Sequence, residues 1–125
     1  MMIHAADISN PIKPFDIYKK WTGRIRKEFY LQGDRERDLG LPISYLMDRF
    51  TVNIAKGQIS FTDVIVKPLF ESLKMVAPAL KPYFVNFEQN KELWGDKVEY
   101  YEQKLSHKIE INFRRTKCEP SHLPP

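Results

Sequence analysis

Residues 15–39 read FDIYKKWTGRIRKEFYLQGDRERDL, and this stretch decides the fold. Tyr18, Trp21, Ile25 and Phe29 follow one another at offsets of 3, 4 and 4, which places four large apolar side chains on one helix face. Lys19, Lys20, Arg24, Arg26 and Lys27 fall largely off that stripe, as an amphipathic helix requires. Gly33 is expected to break or bend the helix, and Gly40 followed by Pro42 ends it, glycine accepting the left-handed turn and proline refusing to continue.

Working outward, the same period recurs. A short apolar segment from Met1 to about Ile8 is cut off by Ser9-Asn10-Pro11 and Pro14, because proline and the residue before it disfavour helix. It starts without a cap, as if inside an element, so a truncated chain is expected. Ser44 to Phe50 reads as a compact connection. A second helix is predicted from about Thr51 towards Ala77, with Ile54, Phe61, Ile65, Leu69, Leu73 and Val76 in register and a kink near Pro68. Pro78 and Pro82 open the next segment, and a last helix is predicted over roughly Glu88 to Leu105. Beyond it Ile109, Ile111 and Phe113 alternate with polar residues, as in a short strand laid on another surface or a mobile tail. The expected fold class is therefore all-α, with four or five helices and proline-rich loops. Residues 119–125 read as disordered.

Composition narrows the class. Hydrophobic residues at 42% and aromatics at 13% suffice for a packed core and argue against disorder. No apolar run approaches the roughly 20 residues of a membrane span, and the first residues lack a charged leader and a long apolar stretch, so no secretory signal is expected. One cysteine, Cys118, excludes an internal disulfide and a cysteine-rich zinc site. A cytoplasmic protein is the simplest expectation. The net charge of +4 is too small an excess to suggest nucleic acid. The cations gathered at Lys104, Lys108, Arg114, Arg115 and Lys117 read as a solvated tail.

Taken residue by residue, the chemistry is sparse. His4 and Asp7, three apart, can share a helix face and touch one metal, although a helix-end aspartate more often makes a local hydrogen bond. There is no glycine-rich phosphate loop, no Ser-His-Asp order and no His-Glu-x-x-His. His107 and His122 lie in polar surroundings and suggest nothing.

Taken as a string, the chain resembles a known family. His4-Ala5-Ala6-Asp7-Ile8-Ser9-Asn10-Pro11 with Lys13-Pro14 is followed by Trp21 and by Glu28-Phe29-Tyr30-Leu31-Gln32-Gly33-Asp34. Leu41-Pro42-Ile43-Ser44, Met47-Asp48-Arg49 and Gln58-Ile59-Ser60-Phe61 come next, in one register from His4 to about Phe70. This pattern resembles the carboxyl-terminal part of the catalytic domain of class I 3′,5′-cyclic nucleotide phosphodiesterases. The resemblance implies a multi-helical, HD-domain-like fold over residues 1–105, followed by a tail over 106–125 that is expected to be partly disordered.

It also implies roles. Asp7 matches an aspartate that ligates zinc beside a second metal, usually magnesium (or manganese), and so carries the metal and catalytic assignments. Gln58 matches the glutamine that hydrogen-bonds the purine edge, its amide offering both a donor and an acceptor. Phe61 matches the aromatic that stacks on the base, and Ile25 the apolar residue on the other side of that clamp. Asn10, Tyr18, Trp21 and Thr22 match positions lining the same pocket, and for Tyr18 and Trp21 a purely structural helix-face role stays equally open. Ser60 stands where relatives usually have glycine, and Tyr45 and Met47 where proline and cysteine are usual; similarity fades after about Ser72.

Two segments of the family, His-Asn-x-x-His and a His-Asp pair, do not occur here, so the metal ligand set is incomplete. The implied function is metal-dependent hydrolysis of cyclic AMP or cyclic GMP to the 5′-nucleotide, by a chain that is truncated and inactive alone. The alternative is a non-catalytic helical remnant that binds a partner or a nucleotide. As a fragment it should expose apolar faces, above all near Asp7 and along the Tyr18–Phe29 stripe, and associate through them.

Overall fold

The computed structural model describes residues 2–117, with side chains through Arg114. Six α-helices run through the described residues, with no strand among them: α1 Met2–Asp7, α2 Phe15–Asp38, α3 Ile54–Phe61, α4 Lys67–Val76, α5 Tyr83–Gly95 and α6 Val98–Lys117.

The long helix forms as its period predicts and runs on to Asp38, so Gly33 does not break α2. A Cβ built there would lie 2.0 Å from the carbonyl oxygen of Met47, so the missing side chain lets the connection cross the helix. The helix ends in a Schellman motif, with Gly40 at φ +67°, its N–H donating to Arg37 O at 3.0 Å and that of Leu41 to Glu36 O at 2.8 Å. The connection then folds back. Ser44 donates through its N–H and its hydroxyl to Glu36, at 2.7 and 2.6 Å, while Asp48 accepts from Arg37 and Asp34 from Arg49, both at 2.8 Å. The Ser44 N–H, then its hydroxyl and the Gln32 side chain, hold the Glu36 carboxyl below the usual carboxylate range.

Asn53 caps α3, its Oδ1 accepting from Lys56 N–H at 3.2 Å, while its Nδ2 donates to Val98 O at 3.0 Å and ties in the start of α6. The expected Thr51–Ala77 helix is realised as α3 and α4 joined by a π-helical turn, Thr62–Val66. The Lys67 N–H donates to Thr62 O, five residues back. This wide turn lies just before Pro68, which lacks an N–H and crowds the preceding turn, so the distortion falls where the proline requires it.

The chain after Pro82 departs from expectation. Instead of one helix over 88–105, α5 and α6 meet at Gly95-Asp96-Lys97. The stretch holding Ile109, Ile111 and Phe113 is neither strand nor mobile tail but the last turns of α6. Ile109 and Phe113 are four apart and flank a shallow depression with Phe50 and Thr51, while Glu110 pairs with Arg114 at 2.7 Å. The 106–125 tail is thus helical as far as Lys117, and residues 118–125, with Cys118 and His122, lie outside the described residues.

Two apolar clusters hold the helices. Ala5, Ile12, Val66, Phe70, Leu73 and Phe87 form one, and Tyr18, Ala55 and Trp94 the other. Edge-to-face contacts of Trp94 with Phe15 at 5.4 Å and Tyr18 at 5.8 Å order the second. Buried Asn90 on α5 donates to Pro11 O and Lys13 O, both at 2.7 Å, and Asn86 to Ile12 O at 3.1 Å. The proline-rich turn at Asn10–Ile12, whose carbonyls have few backbone donors to meet, is thereby fastened to α5.

Candidate functional site

A cavity of about 360 Å³ opens where the end of α1, the Asn10–Ile12 turn, α2, the connection and α3 converge. It is lined by Asp7, Asn10, Thr22, Ile25, Gln58 and Phe61, six of the eight residues singled out in the sequence.

Each side chain is set by its element. Asn10 is buried in the turn that α5 fastens, and its side-chain amide has no hydrogen-bond partner among the described residues. The Asn10 amide lines the cavity and is open there to solvent or to a ligand. Thr22, also buried, donates its hydroxyl to Gln58 Oε1 at 3.3 Å across the α2–α3 contact. With Oε1 held, the two Nε2 hydrogens of Gln58 remain for a ligand. Ile25 stands one helical turn beyond Thr22 on α2, and Phe61 ends α3. An apolar wall from each helix thus flanks a pair of amides, a composition that suits a flat, edge-polar ligand. Asp7 is the last residue of α1 and is exposed.

Tyr18 and Trp21 do not line this cavity. Tyr18 is wholly buried in the second cluster, its hydroxyl 3.3 Å from that of Thr62. Burial pushes its phenol up to about 12, the Thr62 and Trp94 side chains offsetting part of the effect. Trp21 lies on the surface with the Arg24 guanidinium 5.3 Å from its ring centre. The Tyr18–Phe29 stripe is therefore not a uniformly exposed face: Tyr18 turns inward, Phe29 is half-buried, and Trp21 and Ile25 meet solvent. At the Asp7 end Met2 and Ile3 are exposed, as expected.

Further lining residues come from places that periodicity does not mark. Phe29 belongs to the stripe and was within reach of that reasoning, but Leu46 and Val52 come from the connection. Leu46 adopts φ +65°, a costly conformation for a leucine, and its Cδ2 covers Gly57. Arg26 and Tyr30 complete the wall; burial raises the Tyr30 phenol against the lowering effect of Arg26 and Arg49.

The residues present do not fit a metal. No group of three or more histidine, cysteine, aspartate or glutamate side chains comes together among the described residues, and a zinc site needs about three or four protein donors.

Residues 1–87 match the sequence profile of the family described as 3′5′-cyclic nucleotide phosphodiesterase. The chain is 43% identical over 98 residues to a probable 3′,5′-cyclic-AMP phosphodiesterase pde-4 of Caenorhabditis elegans, covering 78% of this chain and 14% of that protein. It is 42% identical over 98 residues to 3′,5′-cyclic-AMP phosphodiesterase 4C of Rattus norvegicus, covering 78% and 18%. Among solved structures it resembles the phosphodiesterase domain of the RhoPDE fusion protein from the choanoflagellate Salpingoeca rosetta. The TM-score is 0.71 and the identity 36%, over 80% of this chain and 32% of that one. The chain thus spans less than a fifth of the curated relatives' length and about a third of the solved chain's.

Proposed function

This chain belongs to the 3′5′-cyclic nucleotide phosphodiesterase family, and we propose that it forms the base-holding wall of a site for cyclic AMP. The carrying observation is the convergence of Asn10, Thr22, Ile25, Gln58 and Phe61 on one cavity. The purine would lie between Ile25 and Phe61, where a flat π-face gains both apolar burial and stacking. Gln58, its oxygen engaged by Thr22, would donate to a ring nitrogen, and the amide of Asn10 would meet the exocyclic amine. Adenine offers an acceptor nitrogen beside an amino donor and suits this pair. The similar proteins named as cyclic-AMP phosphodiesterases support the same preference.

Hydrolysis of cyclic nucleotides is the activity of the family. In the whole protein, Asp7 at the cavity edge would supply one carboxylate towards the divalent metals that the family uses, zinc with magnesium or manganese. The donor set of these residues does not hold such an ion, so the isolated chain should bind a nucleotide without turning it over. A binding-only remnant is thus the reading for the isolated chain, and the phosphodiesterase site the reading for the protein it belongs to.

Calorimetric titration of the 125-residue chain with cyclic AMP and cyclic GMP tests the binding step. Hydrolysis assays with zinc and magnesium or manganese, beside Asp7→Ala, test the catalytic one. Binding of cyclic AMP that Gln58→Ala weakens, without turnover, is the expected result. Turnover that Asp7→Ala abolishes would overturn the incomplete metal site, and equal, Gln58-independent binding of both nucleotides would overturn the proposed base contacts.

A further inference from the structure

A second depression, of about 690 Å³, lies between α2 and α6. Its half-buried floor is apolar and aromatic, formed by Tyr30, Val52, Ile54, Tyr101 and Leu105. Its rims are cationic, with Arg26 and the exposed Lys27 on α2 facing the exposed Lys104 and Lys108 on α6. Among the described residues no carboxylate lines it. Among the described residues none of these four cations has an ion-pair partner, whereas Arg49, which also lines the groove, pairs with Asp34; the Tyr100 ring centre lies 4.8 Å from Lys104 Nζ. Helix α6 sorts its charges accordingly. Lys104 and Lys108, one turn apart, point into the groove beside Tyr101 and Leu105, while Glu99, Glu102 and Glu110 line a different depression. The α6 wall also lies beyond the residues that match the family profile, which stop at 87.

We propose that the α2–α6 groove docks an acidic amphipathic helical segment of another protein. An apolar floor between two basic rims is the complement of a helix with leucine-like residues along one stripe and carboxylates on both flanks. A free phosphate would need donors converging on a point, whereas these cations are strung along two rims. A nucleic-acid backbone would gain from the rims but would leave the apolar floor unused. Arg26, Tyr30, Val52 and Ile54 line this groove and the smaller cavity alike, so an occupant of one presses on a wall of the other.

The test is fluorescence anisotropy of the full chain with a labelled peptide of about 14 residues, leucines at helical spacing and glutamates elsewhere. A scrambled peptide of the same composition and a short labelled DNA duplex serve as comparisons. Lys27→Glu, Lys104→Glu and Lys108→Glu lie on the exposed rims, and circular dichroism checks that each variant keeps its helix content. The expected result is saturable binding that falls about fivefold or more for each single reversal and about 30-fold or more for the triple. The scrambled peptide should bind at least about tenfold more weakly than the amphipathic one. Equal binding of the scrambled peptide would reduce the groove to unspecific charge attraction and overturn the proposal. So would preference for the duplex, or binding that folded reversal variants retain. The readout is peptide binding and does not depend on the nucleotide assignment.

Discussion

Two glycines of α2, ten positions apart, should respond oppositely to the same substitution. In a helix interior glycine costs about 1 kcal/mol relative to alanine, so Gly→Ala is stabilising where space permits. At Gly23 an added Cβ meets nothing within 4 Å, and Gly23→Ala is expected to stabilise by about 0.5–1 kcal/mol. At Gly33 the new Cβ would lie 2.0 Å from Met47 O and 2.7 Å from Met47 C. Both are backbone atoms, so no rotamer change relieves the overlap. The connection must move outward by more than 1 Å to reach ordinary contact, pulling against the Ser44–Glu36, Asp48–Arg37 and Arg49–Asp34 bonds. Overpacking of this kind costs about 1–3 kcal/mol and sometimes more; with the loss of one or two of those bonds it outweighs the propensity gain. Gly33→Ala should therefore be net destabilising by about 1–3 kcal/mol, a fall in Tm on the order of 10 °C. Thermal and urea unfolding followed by circular dichroism measures both variants under one condition. If Gly33→Ala equals or exceeds the wild type in stability, the close crossing of the connection over α2 is wrong.

The Tyr18 phenol titrates at about 12 when folded and near 10 when unfolded, so the unfolded chain releases its proton first and stability falls as pH rises between those values. The loss should approach roughly 2–3 kcal/mol by pH 12 and be absent below pH 9; urea unfolding of Tyr18→Phe across this range should lack that component. Thr22→Val removes the hydroxyl that engages Gln58 Oε1 while keeping the shape. It should weaken cyclic AMP binding by about 3–10-fold in calorimetry, because the Gln58 amide is then no longer held in one orientation. Phe61→Ala should weaken both nucleotides alike, by about 1–3 kcal/mol, since stacking does not discriminate bases.

What the sequence shows and what it hides follow from where the deciding interactions lie. Helix α2 is legible because a four-residue stripe and a terminal Gly-x-Pro report directly on local geometry. The cavity's polar residues are legible through the string resemblance, and the Thr22 hydroxyl and Gln58 amide fall where one register of α2 against α3 brings them together, while Asn10 arrives on the turn that α5 fastens. Tyr18 shows the limit of that reasoning. It shares a stripe with Ile25, yet a stripe wide enough to touch two neighbours does not say which edge meets the core, and Trp94, 76 positions away in sequence, takes Tyr18 inward. The end of α6 is hidden for another reason: Ile109, Ile111 and Phe113 satisfy a two-residue period, while the helix sets Ile109 and Phe113 on one side with Phe50 and Thr51 and pairs Glu110 with Arg114. Leu46 and Val52 reach the cavity on a segment held by ion pairs and hydrogen bonds, for which no periodic signal exists.

Titration of isotope-labelled chain with cyclic AMP, followed by amide and side-chain NMR shifts, tests the central claim most directly. Saturable shifts are expected at Asn10, Thr22, Ile25, Gln58 and Phe61, including the side-chain amides of Asn10 and Gln58, and they should be lost in Gln58→Ala. Absence of shifts at these residues in a folded sample, or shifts confined to another surface and unchanged in the variant, would contradict that claim.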